Sequence, residues 1–250
     1  MRTQPYVLIL LSSSRQLTLR DGDLLDCGFW AEEFLTPWKI LRDSGWPVVL
    51  ATPDGQPPQV DPESVQAANL DGDSQRVEAL LAELRDLAPL LSTVQDIRRL
   101  DDELLHTLRG LFIPGGNGPL QDLPQSAALA RLLCYCEARG TPVATLCHGS
   151  AALLATTTDD RRAFSGYTVS CFSKAEEEST RLSGRWPFHL EEALRAMGFQ
   201  TDLGPAWSEH WVQDRLLLSG QNPASAAALT RAFVAQLEAI RHHKGSRHGR

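Results

Sequence analysis

Apolar runs of strand length alternate along this chain with stretches whose apolar positions recur every three or four residues. Strands covered on both faces read as continuous apolar runs, and helices packed on one side read as periodic ones. Tyr6–Leu11 is the first run and predicts a buried strand. Helical spacing follows over Phe29–Asp43, with Gly45 placed just past the expected helix end. Pro47–Ala51 predicts a second strand, Gln75–Leu87 and Asp101–Leu108 helices, and Leu111–Ile113 a short strand. Ser126–Arg139 predicts a helix, Pro142–Leu146 a fourth strand, and Gly149 the start of another helix. Tyr167–Phe172 is strand-like and Phe188–Met197 helical. Trp211–Gln213 and Leu216–Ser219 form a predicted hairpin turning at Asp214-Arg215, and Pro223 opens a final helix over Ala224–Ile240. This alternation predicts one α/β domain over residues 1–240, with a mostly parallel central sheet and helices on both faces. The basic remainder, 241–250, reads as a flexible tail. Between the second strand and the next helix lies a stretch rich in Pro, Asp and Gly, too long for a simple connection. Such loops are functional or mobile, and its Pro53–Leu70 part is a candidate surface for client proteins.

Composition narrows the partners. With 250 residues, 42% of them hydrophobic, the chain has material for a substantial core. Its formal net charge of -7 gives no electrostatic attraction to a phosphate backbone, so nucleic acid is not expected as a partner. The N-terminal PYVLILL is too short for a secretory core, and no run approaches the length of a membrane span. Five scattered cysteines, an odd number in a sizeable chain, fit reduced thiols rather than a disulfide framework. The expected location is the cytoplasm, away from membranes.

Three segments should meet beyond the carboxyl ends of the strands, where ligands bind on such sheets. In TPVATLCHGSAALLA, Cys147 stands between a strand and a helix, with small Gly149, Ser150 and Ala151 after it. The pattern resembles a nucleophile elbow, although Thr145 replaces the glycine often found two residues before the nucleophile. A helix N-terminus there is expected to lower the thiol pKa, and His148 offers an imidazole for proton transfer. In PGGNG, Gly115 and Gly116 let the backbone approach a ligand. Their N–H groups, Gly116 above all, form with the His148 N–H the candidate oxyanion hole. In GFWAEEFLTPW, the apolar neighbours of Glu32-Glu33 suggest that one carboxyl faces inward, where a protonated Glu can share a hydrogen bond with a thiolate. Cys134-x-Cys136 points two ways on a helix and is no metal pair; Cys171 reads as core. His106, His189 and His210 read as structural or solvated, the Glu176-Glu177-Glu178 run as a solvated face, and most tryptophans as core, with Trp207 and Trp211 as pocket candidates. Asn222 is placed to cap a loop near the site.

Taken in order, GFWAEEFLTPWKILRDSGWPVVLATPDG, VDPES, LFIPGGNGPLQDL, TPVATLCHGSAALL, YTVSCFSKAEEE, WPFHLEEAL and LLLSGQNPASA resemble the PfpI-like branch of the class I glutamine-amidotransferase-like superfamily. That superfamily also holds the DJ-one protein, and the likeness is strongest to its stress-chaperone and glyoxalase III members. The resemblance implies a flavodoxin-like three-layer sandwich, usually a homodimer, with Cys147 as nucleophile and His148 beside it. It implies that Glu33, four residues before Pro37, is the buried Glu that contacts the thiol. The acidic member of the triad, five positions after Phe172, is then Glu177, with Glu176 and Glu178 as alternatives. Many relatives carry His where this chain has Asn117, and some bind a metal nearby, so neither metal nor cofactor is expected here. Gln56 also departs from a common Gly at the pocket rim. The implied activity is a cofactor-independent glyoxalase, turning methylglyoxal or glyoxal into a 2-hydroxy acid through a Cys147 thiohemiacetal, in a stress-protective role. A Cys-dependent hydrolase of amide or ester bonds, and a holding chaperone or redox sensor that binds unfolded clients, stand as alternatives.

Overall fold

The computed structural model describes residues 4–245. Seven strands form the main sheet, in the order Trp211–Asp214, Leu217–Gly220, Val143–Leu146, Leu108–Ile113, Tyr6–Leu10, Val48–Thr52 and Gln95–Asp96. Every neighbouring pair is parallel except the first, the antiparallel hairpin that was expected around Asp214-Arg215. The chain starts in the middle of this sheet, builds outward to Gln95–Asp96, then returns to the other side of the first strand. That reversal, between Tyr6–Leu10 and Leu108–Ile113, opens a crevice at the strands' carboxyl ends.

The first strand shows why its sequence is apolar without interruption. Tyr6, Leu8 and Leu10 enter the core on one face, and Val7, Ile9 and Leu11 the core on the other. Leu111 and Ile113 join the first of these layers and Phe112 the second, where its ring meets Phe233 edge-on at 5.7 Å. Each fully buried side chain of this kind contributes roughly 1.5–3 kcal/mol. Helix Ala31–Asp43 packs on the second face beside the final helix. It ends as predicted: Gly45, at φ 77°, and Trp46 donate back to Arg42 and Leu41, satisfying the last carbonyls.

Several elements differ from the sequence expectation. Helix Ser74–Leu91 runs past the predicted end at Leu87 and through Pro89. A proline in the last turn forfeits only one hydrogen bond, and the Ser92 and Thr93 hydroxyls donate to its carbonyl. The strand expected over Tyr167–Phe172 shrinks to Thr168–Val169, paired with Gln200–Thr201 in a separate small sheet, because Ser170 N–H donates to Ser219 Oγ instead. A hairpin of Gln16–Thr18 and Leu24–Asp26, too short to give an apolar run, was not foreseen. The element after Leu146 is a 3₁₀ helix, Cys147–Leu154, beginning on the cysteine and not at Gly149. The long loop holds two 3₁₀ turns, Pro62–Val65 and Ala67–Asn69. The last helix, Ala226–Gly245, carries on through the first half of the expected tail; 246–250 lie outside the described residues. Among the described residues no helix is long and apolar enough to cross a membrane.

Candidate active site

Cys147 follows the last residue of a central strand at φ 56°, a left-handed conformation that side-chain-bearing residues rarely adopt. Strain of this kind persists only where the surroundings enforce it. Here Thr145 Oγ1 and Ser150 Oγ lie 2.9 Å apart beneath the turn, and Ser150 donates on to the Ser170 carbonyl, so the hydroxyl at 145 supplies the tie. Gly149 presses the elbow onto the neighbouring turn: a Cβ there would stand 2.4 Å from the Ile113 carbonyl oxygen and 2.6 Å from that of Pro114.

The PGGNG turn can be accounted for group by group. Gly115 N–H donates to Glu33 Oε2 at 2.8 Å, Asn117 N–H to Asp61 Oδ2 at 3.0 Å, and Gly118 N–H to the Gly28 carbonyl at 3.0 Å. Only Gly116 N–H is left without such a bond among the described residues. Gly116 has φ 108°, and a Cβ on it would meet the Gly28 oxygen at 2.4 Å. The candidate set of oxyanion donors therefore contracts: the Gly115 N–H is held by Glu33, and Gly116 and His148 remain.

Glu33 is fully buried on helix Ala31–Asp43, while Glu32 points out to pair with Arg76 at 2.6 Å. Burial pushes the Glu33 carboxyl up to about 8, against the pull of hydrogen bonds from the Cys147 thiol and Gly115 N–H. Its Oε1 has no partner meeting full hydrogen-bond geometry, so the contact with the thiol is loose rather than a formed bond. Burial also pushes the Cys147 thiol well up, and the charge of Glu33 adds to the rise; the His148 backbone N–H works the other way. This corrects the expected low thiol pKa. The short 3₁₀ helix that starts at the cysteine favours a thiolate only modestly, and desolvation outweighs it. The pair holds at most one negative charge comfortably, and the carboxyl takes that charge before the thiol does.

On the other side, His148 is buried with Nε2 3.2 Å from Glu177 Oε1, its ring stacked edge-on to Phe172 at 4.7 Å and tilted over Trp186 at 5.1 Å. Helix Lys174–Ser179 delivers Glu177, and the three consecutive glutamates point three ways. Glu176, also fully buried, accepts from Ser173 N–H and Oγ, Trp207 N–H and Asn222 Nδ2. Glu178 stays outside, where Ser183 Oγ holds its carboxyl below the usual range. The run expected as a solvated face is thus buried at two of its three positions, and only Glu177 reaches His148.

Cys147, His148 and Gly116 border a cavity of about 700 Å³. Trp207, half exposed, lines it as expected; Trp30 and Trp186, read as core, line it too, and Trp211 does not. Across the mouth, Arg181 grips Glu63 of the long loop with two bonds of 3.0 and 2.6 Å. Asn222 sits at the rim, tied to Glu176 and the Ser208 carbonyl. Sequence reasoning missed Asp61, a buried carboxyl whose burial raises it to about 6 and which fastens the loop to Gly28 and Asn117. Its signal was present in Asp61-Pro62-Glu63, a helix-start pattern at which Asp61 accepts from Glu63 N–H. Among the described residues no cluster of three His, Cys, Asp or Glu side chains has the arrangement of a metal site.

A strained cysteine elbow beside the switch point, backed by a buried Glu and a His–Glu pair, defines a class of α/β protein. The family model described as ThiJ/PfpI family-like matches residues 24–192, and the chain belongs to that family. Among curated relatives, the protein/nucleic acid deglycase HchA of Pseudomonas aeruginosa (strain UCBPP-PA14) is 26% identical over 232 residues, covering 88% of this chain and 76% of the relative. HchA of Escherichia coli O157:H7 is 28% identical over 240 residues, covering 91% and 79%. Among solved structures, glyoxalase III from Candida albicans superposes with a TM-score of 0.74 at 21% identity, covering 92% of this chain and 96% of that one, a likeness of fold.

Proposed function

We propose that this chain is a cofactor-independent glyoxalase in which Cys147 is the nucleophile. The observation that carries the reading is the placement of Cys147 on the cavity floor, with Glu33 on one side and the His148–Glu177 pair on the other. Sγ adds to the aldehyde carbon of a 2-oxoaldehyde, and the carbonyl oxygen becomes the thiohemiacetal oxygen, met by the Gly116 and His148 N–H groups. Burial keeps the Cys147 thiol protonated at rest, so its proton leaves Sγ as the C–S bond forms and passes, with the Glu33 carboxyl beside the thiol as relay, to the former carbonyl oxygen. With Nε2 committed to Glu177, the other nitrogen of His148 takes the proton from the former aldehyde carbon. The electron pair left behind forms the enediol, and the same proton returns to the neighbouring carbon. The thioester so formed is cleaved by water: the C–S bond breaks, a C–O bond forms, and the thiol regains its proton. One carbon is oxidised as its neighbour is reduced, so no external redox partner enters.

The test is formation of lactate from methylglyoxal by the purified protein without glutathione. Turnover is expected in the parent, none in Cys147→Ala, and at least a tenfold loss in Glu33→Gln. Undiminished turnover in Cys147→Ala would overturn the assignment. A second reading rests on the cavity: about 700 Å³ is ample for a three-carbon 2-oxoaldehyde and has room for a glycated side chain. Two relatives bear the description protein/nucleic acid deglycase, and the same thiol would serve release of a carbonyl adduct from an amine. Release of free amine from a methylglyoxal-treated cysteine or lysine derivative separates this from simple scavenging, provided the free aldehyde is trapped first.

A further inference from the structure

Behind the His148–Glu177 pair stands a group the mechanism has not used. His189 Nδ1 lies 2.6 Å from Glu177 Oε2, and its Nε2 lies 3.0 Å from Glu178 Oε1. His189 itself is only 9% exposed and immediately precedes helix Leu190–Ala196, whose first N–H also reaches Glu177 Oε1 at 3.3 Å. We infer that His189 is a positioning residue, a doubly protonated imidazolium clamped between Glu177 inside and Glu178 outside, which fixes the carboxylate that orients His148.

The argument is one of donors and acceptors. An ionised carboxylate only accepts, and an imidazole that faces one at each nitrogen must donate from both, which is the cationic form. Glu178 is ionised, since Ser183 and its solvent exposure hold it so. Glu177 accepts from Leu190 N–H at 3.3 Å and faces a ring nitrogen of His148 at 3.2 Å and of His189 at 2.6 Å, a setting that suits a group able only to accept. The cation has a second use: Glu177 is fully buried, and a buried carboxylate without a balancing charge is costly. Other charges near the ring are Glu191 and Glu192 on the following helix, Lys174, which bonds Glu192 at 2.6 Å, and Arg20; Lys174 and Arg20 act on Glu178 through their charge, while Ser183 and His189 make its close contacts. The arrangement parallels the outer partners of metal-bound histidines, which orient a ligand they do not replace.

Ring-nitrogen NMR of the free parent protein tests the assignment without any substrate. At pH 7 both His189 nitrogens should carry protons, and a bare Nδ1 would overturn the inference, since it would mean a neutral ring accepting from a protonated Glu177. The His148 Nε2 proton should be slowly exchanging in the parent and in His189→Gln, which keeps one donor toward Glu177. It should be lost in His189→Leu, which has none; its persistence there would also overturn the inference. With methylglyoxal as substrate, His189→Leu should lower kcat about tenfold with KM unchanged, and His189→Gln should recover most of that loss. A matching fall in both variants would show a merely structural histidine. The kinetic arm rests on the glyoxalase reading and the NMR arm does not, so absence of turnover in the parent would remove that reading while leaving His189 decided.

Discussion

Replacing Glu33 by Gln should change how the stability of the fold depends on pH. The carboxyl rises from 4.5 to about 8 on folding because burial strips it of water. A carboxyl raised in the folded state binds its proton there while the unfolded chain has already released it. The folded state then holds more protons between about pH 4.5 and 8, so stability falls as pH rises through that window. At about 1.4 kcal/mol per unit, the shift is worth about 5 kcal/mol, present below the lower limit and gone above the upper one. Gln keeps an oxygen to accept from Gly115 N–H and cannot ionise, so the variant should lack this slope. Urea midpoints of parent and variant at pH 5, 7 and 9 measure it. The parent should lose several kcal/mol relative to the variant across the series, with most of the loss between pH 5 and 8. Parallel curves, or a parent that gains on the variant as pH rises, would refute the argument that Glu33 is buried protonated beside the thiol.

Two further outcomes follow from packing and exposure. Gly149→Ala places a Cβ 2.4 Å from the Ile113 carbonyl oxygen, against backbone that has nowhere to go, and should cost about 2–4 kcal/mol in urea unfolding, while an unchanged midpoint would show that the elbow has slack. Arg181→Ala removes a half-exposed pair with Glu63 and should cost under about 1 kcal/mol, a Tm shift of no more than about 4 °C; a larger fall would mean that this pair across the cavity mouth holds the long loop in place.

The fold was legible where burial is written in apolar residues. Val7, Ile9, Phe112 and Ala144 sit in runs that a sheet covered on both sides explains, and the helices between the runs pointed to parallel strands, while their order came only from the structure. The site was legible where geometry is local: Cys147 on its elbow, Gly116 in its turn, and Glu33 among apolar neighbours came together as read. What escaped was polar burial created by distant segments. Glu176 and Glu177 look solvated in any window of sequence, Glu177 being singled out only through the family resemblance, and become buried because Asn222, His148 and His189 approach from elsewhere. Asp61 is the same case. The thiol pKa failed for a related reason: the local rule about helix ends was applied without the desolvation that only the packed structure supplies.

The order of strands also bears on how the thiol comes to be sheltered. The floor beneath Cys147 needs Leu108–Ile113 on one side and Leu217–Gly220 on the other, and the latter belongs to the last strand to be synthesised. While a ribosome is still making the segment between them, Val143–Leu146 is an open edge, with its backbone groups unpaired on that side. During that interval the nascent chain carries the Cys147 thiol before it has the walls that enclose it. Timed alkylation of Cys147 on stalled chains of increasing length would follow the site's closure, and the length at which its rate settles to that of the finished protein marks when Leu217–Gly220 docks.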